Sequence, residues 1–380
     1  MLAHLCEAQF WLNRFAEAEA SCVEAVAIAD NDASRSADHY MILATSLPWL
    51  ALSLERQGKV EDALEVRERQ LERIELGRRD LTQGVALWSR VGHLHLILGD
   101  RADAEAAFNE AIDLANRASP LKFSEVTEGY RGLAALYLIE ERFGQAEVIL
   151  LSAMDRMAAG VDKYGYASTG LVEALGWTRY WQGRFEESRA LAQQAFEFHE
   201  SKDDLETFSA TTTKLLLARL ADTESTGSTI AERLLISATE VPEEEYFAEA
   251  EAFRAAAWRE LAAHYLLAGE TQRAEEPARR ALGIYATLLP ELMSVEIARA
   301  HAVLARTLNG QGRYRDALPS AQVAYAAQRI LLPAYSSETG ETLVLLSELY
   351  EATGDRENYA AIETLRAEHR TARAEFESGN

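Results

Sequence analysis

Cysteine is nearly absent, with Cys6 and Cys22 the only two in 380 residues. Two cysteines make no disulfide framework, so the sequence points to a reducing compartment. Cys6 reads as a small buried residue and not as half of a redox pair. Proline is also scarce, at 7 residues, and no run of alternating β-branched residues occurs, which leaves no basis for a sheet. Basic charge is in deficit: 38 Lys and Arg stand against 61 Asp and Glu, a formal net charge of −23. Such a surface repels nucleic acid and anionic lipid, so neither is expected as a partner. No apolar run approaches 18 residues, and residues 1–14 lack a basic start followed by an apolar stretch. Neither a membrane span nor a signal peptide is therefore expected, and the expected location is cytoplasmic.

What is present is helix-forming. Apolar residues make up 48%, and alanine, leucine, glutamate and arginine dominate. A turn followed by a polar pair and an alanine recurs along the whole chain. It appears as Gly58-Lys59-Val60-Glu61-Asp62-Ala63 and as Gly99-Asp100-Arg101-Ala102-Asp103-Ala104. Later copies are Glu141 to Ala146, Gly183 to Ser188, Gly269 to Ala274 and Gly312 to Ala317, with a degenerate copy near Gly227. Successive turns lie about 42 residues apart, and such a period marks a stacked repeat architecture.

The parts of this unit have physical roles. Glycine just past a helix end takes the left-handed conformation that closes the last turn. Small residues mark where two helices cross: Cys6, Ala51, Gly92, Ala134, Gly176, Ala262, Ala305 and Ser347 on first helices, Ala18, Ala63, Ala104, Ala146, Ser188, Ala274 and Ala317 on second helices. Ala25, Ala111, Ala153, Ala195, Ala281 and Ala324, seven residues further on, are expected to receive the next first helix. Trp88, Tyr130 and Trp258, and one turn before the elbow Tyr137, Tyr265 and Tyr350, read as seam residues. Pro277 and Pro319, in the second turns of their helices, are expected to bend them slightly.

Trp88-x2-Val91-Gly92-x2-His95 with Ala104-x3-Phe108-x2-Ala111 resembles the tetratricopeptide signature. The longer spacing is similar to the variant of kinesin light chain, as is Ala274-Glu-Glu-Pro277-Ala-Arg-Arg-Ala281 before Leu288-Leu-Pro290. Similar arrays are appended to bacterial regulators, including serine/threonine kinases. The resemblance implies an all-α fold, a right-handed superhelical solenoid of about nine helix pairs. These are expected near 1–30, 38–76, 81–117, 122–159, 166–201, 205–240, 245–288, 293–332 and 337–378, as a single array over 1–380. The 205–240 copy lacks the elbow in register and is expected to be distorted or to carry a longer loop. Tyr359 replaces the crossing alanine in the last copy, and the polar tail after Glu363 reads as a cap. Met1 falls almost on the first helix, so the chain is expected either to pack on something there or to be part of a longer protein.

Chemistry-bearing motifs are not evident. No phosphate-binding Gly-x4-Gly-Lys-Ser/Thr loop and no kinase signature occurs, and Gly310-Gln-Gly312 follows a helix where a dinucleotide site needs a strand. His93 and His95 point roughly 200° apart on a helix and cannot chelate together. The run Glu243, Glu244, Glu245 reads as a solvated helix start. No catalytic residue, cofactor or metal site is expected, and the chain is read as not an enzyme.

The resemblance implies that first helices line a concave face holding extended peptides. Projected onto this sequence, the inner positions are Arg90, His93, Arg131, Glu173, Trp177, Tyr180, Trp181, Arg259, Arg299 and Arg306. One reading is that these arginines and aromatics bind an acidic or C-terminal carboxylate segment of another protein. The competing reading is that the arginines pair with glutamates of adjacent repeats and Trp181 packs at an elbow. The expected function is an interaction scaffold. Its alternative is the regulatory or sensor array of a larger bacterial signalling protein, a kinase or transcriptional regulator.

Overall fold

The computed structural model describes residues 1–31, 37–77, 81–117, 123–158, 165–206, 210–240, 248–288 and 294–379. The acidic run at 243–245, Pro290, and the helix limits expected at 122, 159, 245 and 293 lie outside them. Among the described residues regular structure is helical, and no strand occurs. The first eight helices are α1 (Leu2–Trp11), α2 (Phe15–Asp30), α3 (Ala37–Arg56), α4 (Val60–Gly77), α5 (Leu81–Leu98), α6 (Arg101–Arg117), α7 (Phe123–Ile139) and α8 (Phe143–Ala158). Next come α9 (Tyr166–Trp181), α10 (Phe185–Lys202), α11 (Thr211–Glu224), α12 (Thr229–Thr239) and α13 (Ala248–Leu267). The last are α14 (Thr271–Leu288), α15 (Val295–Gly310), α16 (Tyr314–Leu331), α17 (Ser337–Thr353) and α18 (Arg356–Gly379).

The elbows end the first helices as the turn residues dictate. Gly58, Gly99, Gly183, Gly227, Gly269, Gly312 and Gly354 all have φ between 72° and 86°. Asn13 and Glu141 take the same left-handed conformation, at 57° and 54°, which costs a side chain roughly 1–2 kcal/mol. The next amide closes the turn: Lys59 N donates to Leu54 O at 3.0 Å, and Arg184 N to Arg179 O at 2.9 Å. The copy around Gly227 is less distorted than its sequence suggests. Its helices are short, 14 and 11 residues, but the glycine keeps its φ. Ala231 supplies the buried crossing alanine one place nearer the glycine than in the other copies.

An elbow clamp repeats as well. In Gln57-Gly58-Lys59 both side chains reach Glu19, at 2.7 and 2.6 Å. In Gln182-Gly183-Arg184 they reach Glu147, at 2.7 and 3.2 Å. In Gln311-Gly312-Arg313 the amide donates to Thr271 O at 2.9 Å and the guanidinium to Glu275 at 2.8 Å. Each clamp ties an elbow to the one before it in the chain. Pro277 and Pro319, and also Pro48 of α3, sit inside uninterrupted helices.

The chain divides into two compact units, one comprising Met1–Leu136, Ser152–Ala167 and Leu288–Leu292, the other Tyr137–Leu151, Ser168–Thr287 and Met293–Asn380. In the first unit Phe108 of α6 is fully buried against two helices that offer it glycine. A methyl group added at Gly92 of α5 would lie 2.6 Å from its ring, and one at Gly132 of α7 only 2.2 Å. Gly92 was legible as a crossing residue; Gly132 was not. Cys6 and Cys22 correct the sequence reading. They are completely buried and joined as a disulfide between α1 and α2, their Cα atoms 5.4 Å apart. The elbow brings together two residues that the cysteine count alone treats as unrelated.

In the second unit the C-terminal helix does more than cap. Phe376 of α18 stacks on Tyr335 with centroids 3.9 Å apart, and the Tyr335 hydroxyl donates to Glu140 O at 3.2 Å. Glu141 accepts from Ser337 N at 2.6 Å and pairs with Arg373. Residues nearly 200 apart in sequence thus meet at the elbow that follows α7. Tyr359 packs half-buried on the core shared by the last three repeats.

Because Phe108 fills the space left by two missing side chains, Gly132→Val should destabilise the chain by about 1–3 kcal/mol through overpacking. Phe108→Leu should recover part of that loss in the double variant. Urea unfolding followed by circular dichroism measures both; additive losses in the double variant would contradict the proposed contact.

Candidate functional site

First helices in the second unit carry a continuous run of alternating charge. Arg219 of α11 makes two hydrogen bonds to Glu260 of α13, at 2.6 and 3.1 Å. Arg259 bridges Glu260 and Glu296 of α15, each at 2.9 Å. Arg299 pairs with Glu296 at 2.5 Å and with Glu338 of α17 at 2.6 Å. Three arginines and three glutamates therefore neutralise one another from α11 to α17. Arg306 and Glu341 add a more open pair at 2.5 Å, with side chains 40% and 61% exposed.

The electrostatic consequences follow from burial and neighbours. Burial opposes ionisation of Glu260, but Arg219 and Arg259 overcome it and hold the carboxyl at about 2. Glu296 is likewise depressed: burial opposes its ionisation, and Arg259 and Arg299 prevail. These charges are committed to one another, and an incoming carboxylate gains little from arginines already forked onto glutamate.

An aromatic cluster adjoins this run on α9. Trp177 and Tyr180 meet edge-on at 5.9 Å, and Tyr180 and Trp181 at 5.3 Å, with Phe185 of α10 at 5.5 Å from Tyr180. Trp177 is largely claimed by the core, packing with Leu216 and Leu220 of α11. Trp181 is 46% exposed. Glu173 is buried within a polar network; it accepts from the Thr213 hydroxyl and lies 3.5 Å from His199 Nε2. His199 Nδ1 lies 2.9 Å from Asp204. Burial disfavours the charged ring, yet the bonds to Glu173 and Asp204 outweigh it and raise its pKa.

In the first unit Arg90 of α5 pairs with Glu55 of α3 at 2.6 Å, and Arg67 of α4 takes the other oxygen at 2.9 Å. His93 is held at a pKa of about 4 by burial and by Arg90 and Arg131, so it is neutral near pH 7. Arg131 pairs along its own helix with Glu128 at 3.0 Å, both about half-exposed.

Pairing of the arginines with glutamates of adjacent repeats, the competing reading of the sequence, holds for Arg90, Arg259, Arg299 and Arg306; the partners Glu55, Glu260, Glu296, Glu338 and Glu341, and Arg219, were not named from sequence. The signal was available. Inter-repeat pairs are separated by 35 to 41 residues, close to the repeat period, so opposite charges one period apart were the pattern to seek.

Glu260 has a folded pKa below its ordinary 4.5, so it stabilises the fold above that value and the contribution is lost as pH falls from 4.5 toward 2. Glu260→Gln should cost roughly 3–5 kcal/mol at pH 7, because Arg219 and Arg259 lose a buried partner. The difference from the parent chain should shrink at pH 2. Chemical unfolding at the two pH values measures it, and an equal difference at both would contradict the assignment.

Tetratricopeptide repeat models match residues 85–117 and 173–202, the α5–α6 and α9–α10 regions. No curated protein matches the chain in sequence. Among solved structures it is similar to a Rap protein complexed with Competence and Sporulation Factor. That match has 14% identity and a TM-score of 0.53, covering 88% of this chain and 99% of the other. It is also similar to NprR in complex with its cognate peptide NprX, at 15% identity and a TM-score of 0.51, covering 80% and 86%. The nearly identical TPR-like repeats of a Podosopora anserina kinesin light chain match at 20% identity and a TM-score of 0.38, over 52% of this chain and 93% of that one. No described helix is long and apolar enough to cross a membrane. The chain carries tetratricopeptide repeats within an all-helical repeat fold.

Proposed function

We propose that the chain is a non-enzymatic interaction scaffold that holds a peptide or protein segment against the face of its first helices. Trp181 carries this reading. It is a large ring kept half in solvent and set edge-on to Tyr180 of the same helix, the helix that precedes the charge run. A rigid exposed aromatic beside satisfied charges is the composition of a binding anchor. Support comes also from the fold shared with Rap and NprR, structures whose bound partners are Competence and Sporulation Factor and the peptide NprX. An acidic segment would contact Arg306, whose exposed ion pair with Glu341 is worth only about 0–1 kcal/mol and opens readily. Arg259 and Arg299 would frame the segment without exchanging partners.

The immobilised full chain should capture a reproducible set of proteins from a lysate of its native host. Trp181→Ala with Arg306→Ala should remove them while helicity by circular dichroism stays unchanged. Trp177 is unsuitable for this test because it packs in the core. Capture of the same set at the same abundance by the double variant would sink the reading.

A further inference from the structure

A cleft of about 340 Å³ opens between α4, α5 and α6, on the side opposite His93 of α5. Its rim holds Glu68 and Glu72 of α4 with Asp103 and Glu110 of α6, and Trp88 and His95 of α5 form its wall. Among the described residues none of the four rim carboxylates has an ion-pair partner. Asp103 and Glu110 are exposed.

The chain contains its own comparison. Counting from the elbow glycines Gly99 and Gly269, Trp88 corresponds to Trp258, His95 to Tyr265, Asp103 to Arg273 and Glu110 to Arg280. In the later repeat those two arginines cover the two rings. Arg280 lies 4.6 Å from the Trp258 ring centroid and Arg273 lies 4.1 Å from that of Tyr265. A guanidinium over an aromatic face at such a distance is a favourable cation–π contact. In the earlier repeat both arginine registers carry carboxylates, so the internal cations are missing and the charge of the site is inverted.

We propose that this cleft receives two basic side chains of a partner polypeptide, which take the places that Arg273 and Arg280 occupy in the later repeat. One cation would sit over Trp88 beside Glu110, the other near His95 and Asp103. Asp103 and Glu110 are seven residues apart on a helix, about 10 Å. An extended segment with arginines or lysines three residues apart spans the same distance. The inference rests on the scaffold reading but assigns a second, basic-specific site on a different helix face. It gives a strongly acidic chain a partner of complementary charge.

The test uses the full chain labelled with 5-fluorotryptophan, the Trp88 resonance being assigned by its loss in Trp88→Phe. Ac-Arg-Ala-Ala-Arg-amide is titrated at physiological salt with EDTA present, which excludes a metal at His95, Asp100 and Asp103. Saturable movement of the Trp88 resonance is expected, with no response to Ac-Glu-Ala-Ala-Glu-amide. Asp103→Arg with Glu110→Arg copies the self-filled repeat, so it should remain folded and weaken binding at least tenfold. Glu357→Arg with Glu368→Arg on α18 makes the same change in net charge and should leave the Trp88 response within twofold. An unresponsive Trp88, or equal weakening by both double variants, overturns the proposal. The Trp181 experiment stands apart from this result, since it reads a different helix face and a different tryptophan.

Discussion

Two helices can lie close along their length only where neither carries a bulky side chain at the crossing, and the repeats before the last, which has Tyr359 at that position, depend on that condition. Ala18, Ala63, Ala104, Ala146, Ala274 and Ala317 are completely buried at the crossings. Where one helix gives up its side chain altogether, a larger neighbour moves in, as Phe108 does against Gly92 and Gly132. A single pair cannot cover its own apolar stripe, so burial is completed by the next pair. The elbow clamps Gln57–Glu19, Gln182–Glu147 and Gln311–Thr271 then hold successive turns together.

Charge is organised on the same period. The chain carries a net −23, yet the first helices of the second unit hold a run in which Arg219, Glu260, Arg259, Glu296, Arg299 and Glu338 sum to zero. Burying an unpaired charge is costly, so the run favours the register in which each member finds its partner. The excess negative charge is left on other surfaces, including the rim of the cleft between α4, α5 and α6. One repeat class therefore offers two kinds of surface: one whose charges are internally matched and one whose charges are not.

The substitutions that separate these surfaces are few. An aromatic wall covered by Arg273 and Arg280 in one repeat is left uncovered in another, where Asp103 and Glu110 stand at the same registers. Counted from their elbow glycines the two repeats align, and they differ here in the sign of two side chains. Surface charge in this array is thus set locally, repeat by repeat.

The period, the elbow glycines, the crossing alanines and the all-helical class were legible from residues alone, because they depend on local conformation and on side-chain size at fixed spacing. The inner positions proposed for binding were named only as a list. Tertiary structure decided that Arg259 and Arg299 are occupied by Glu296 and Glu338, that Glu173 lies in a buried network with Thr213 and His199, and that Trp177 belongs to the core while Trp181 does not. It also joined Cys6 to Cys22 and brought Arg373 to Glu141 across more than two hundred residues. These are pairings, and a pairing needs the positions of two residues in space, which a periodic pattern supplies for backbones before it supplies them for side chains.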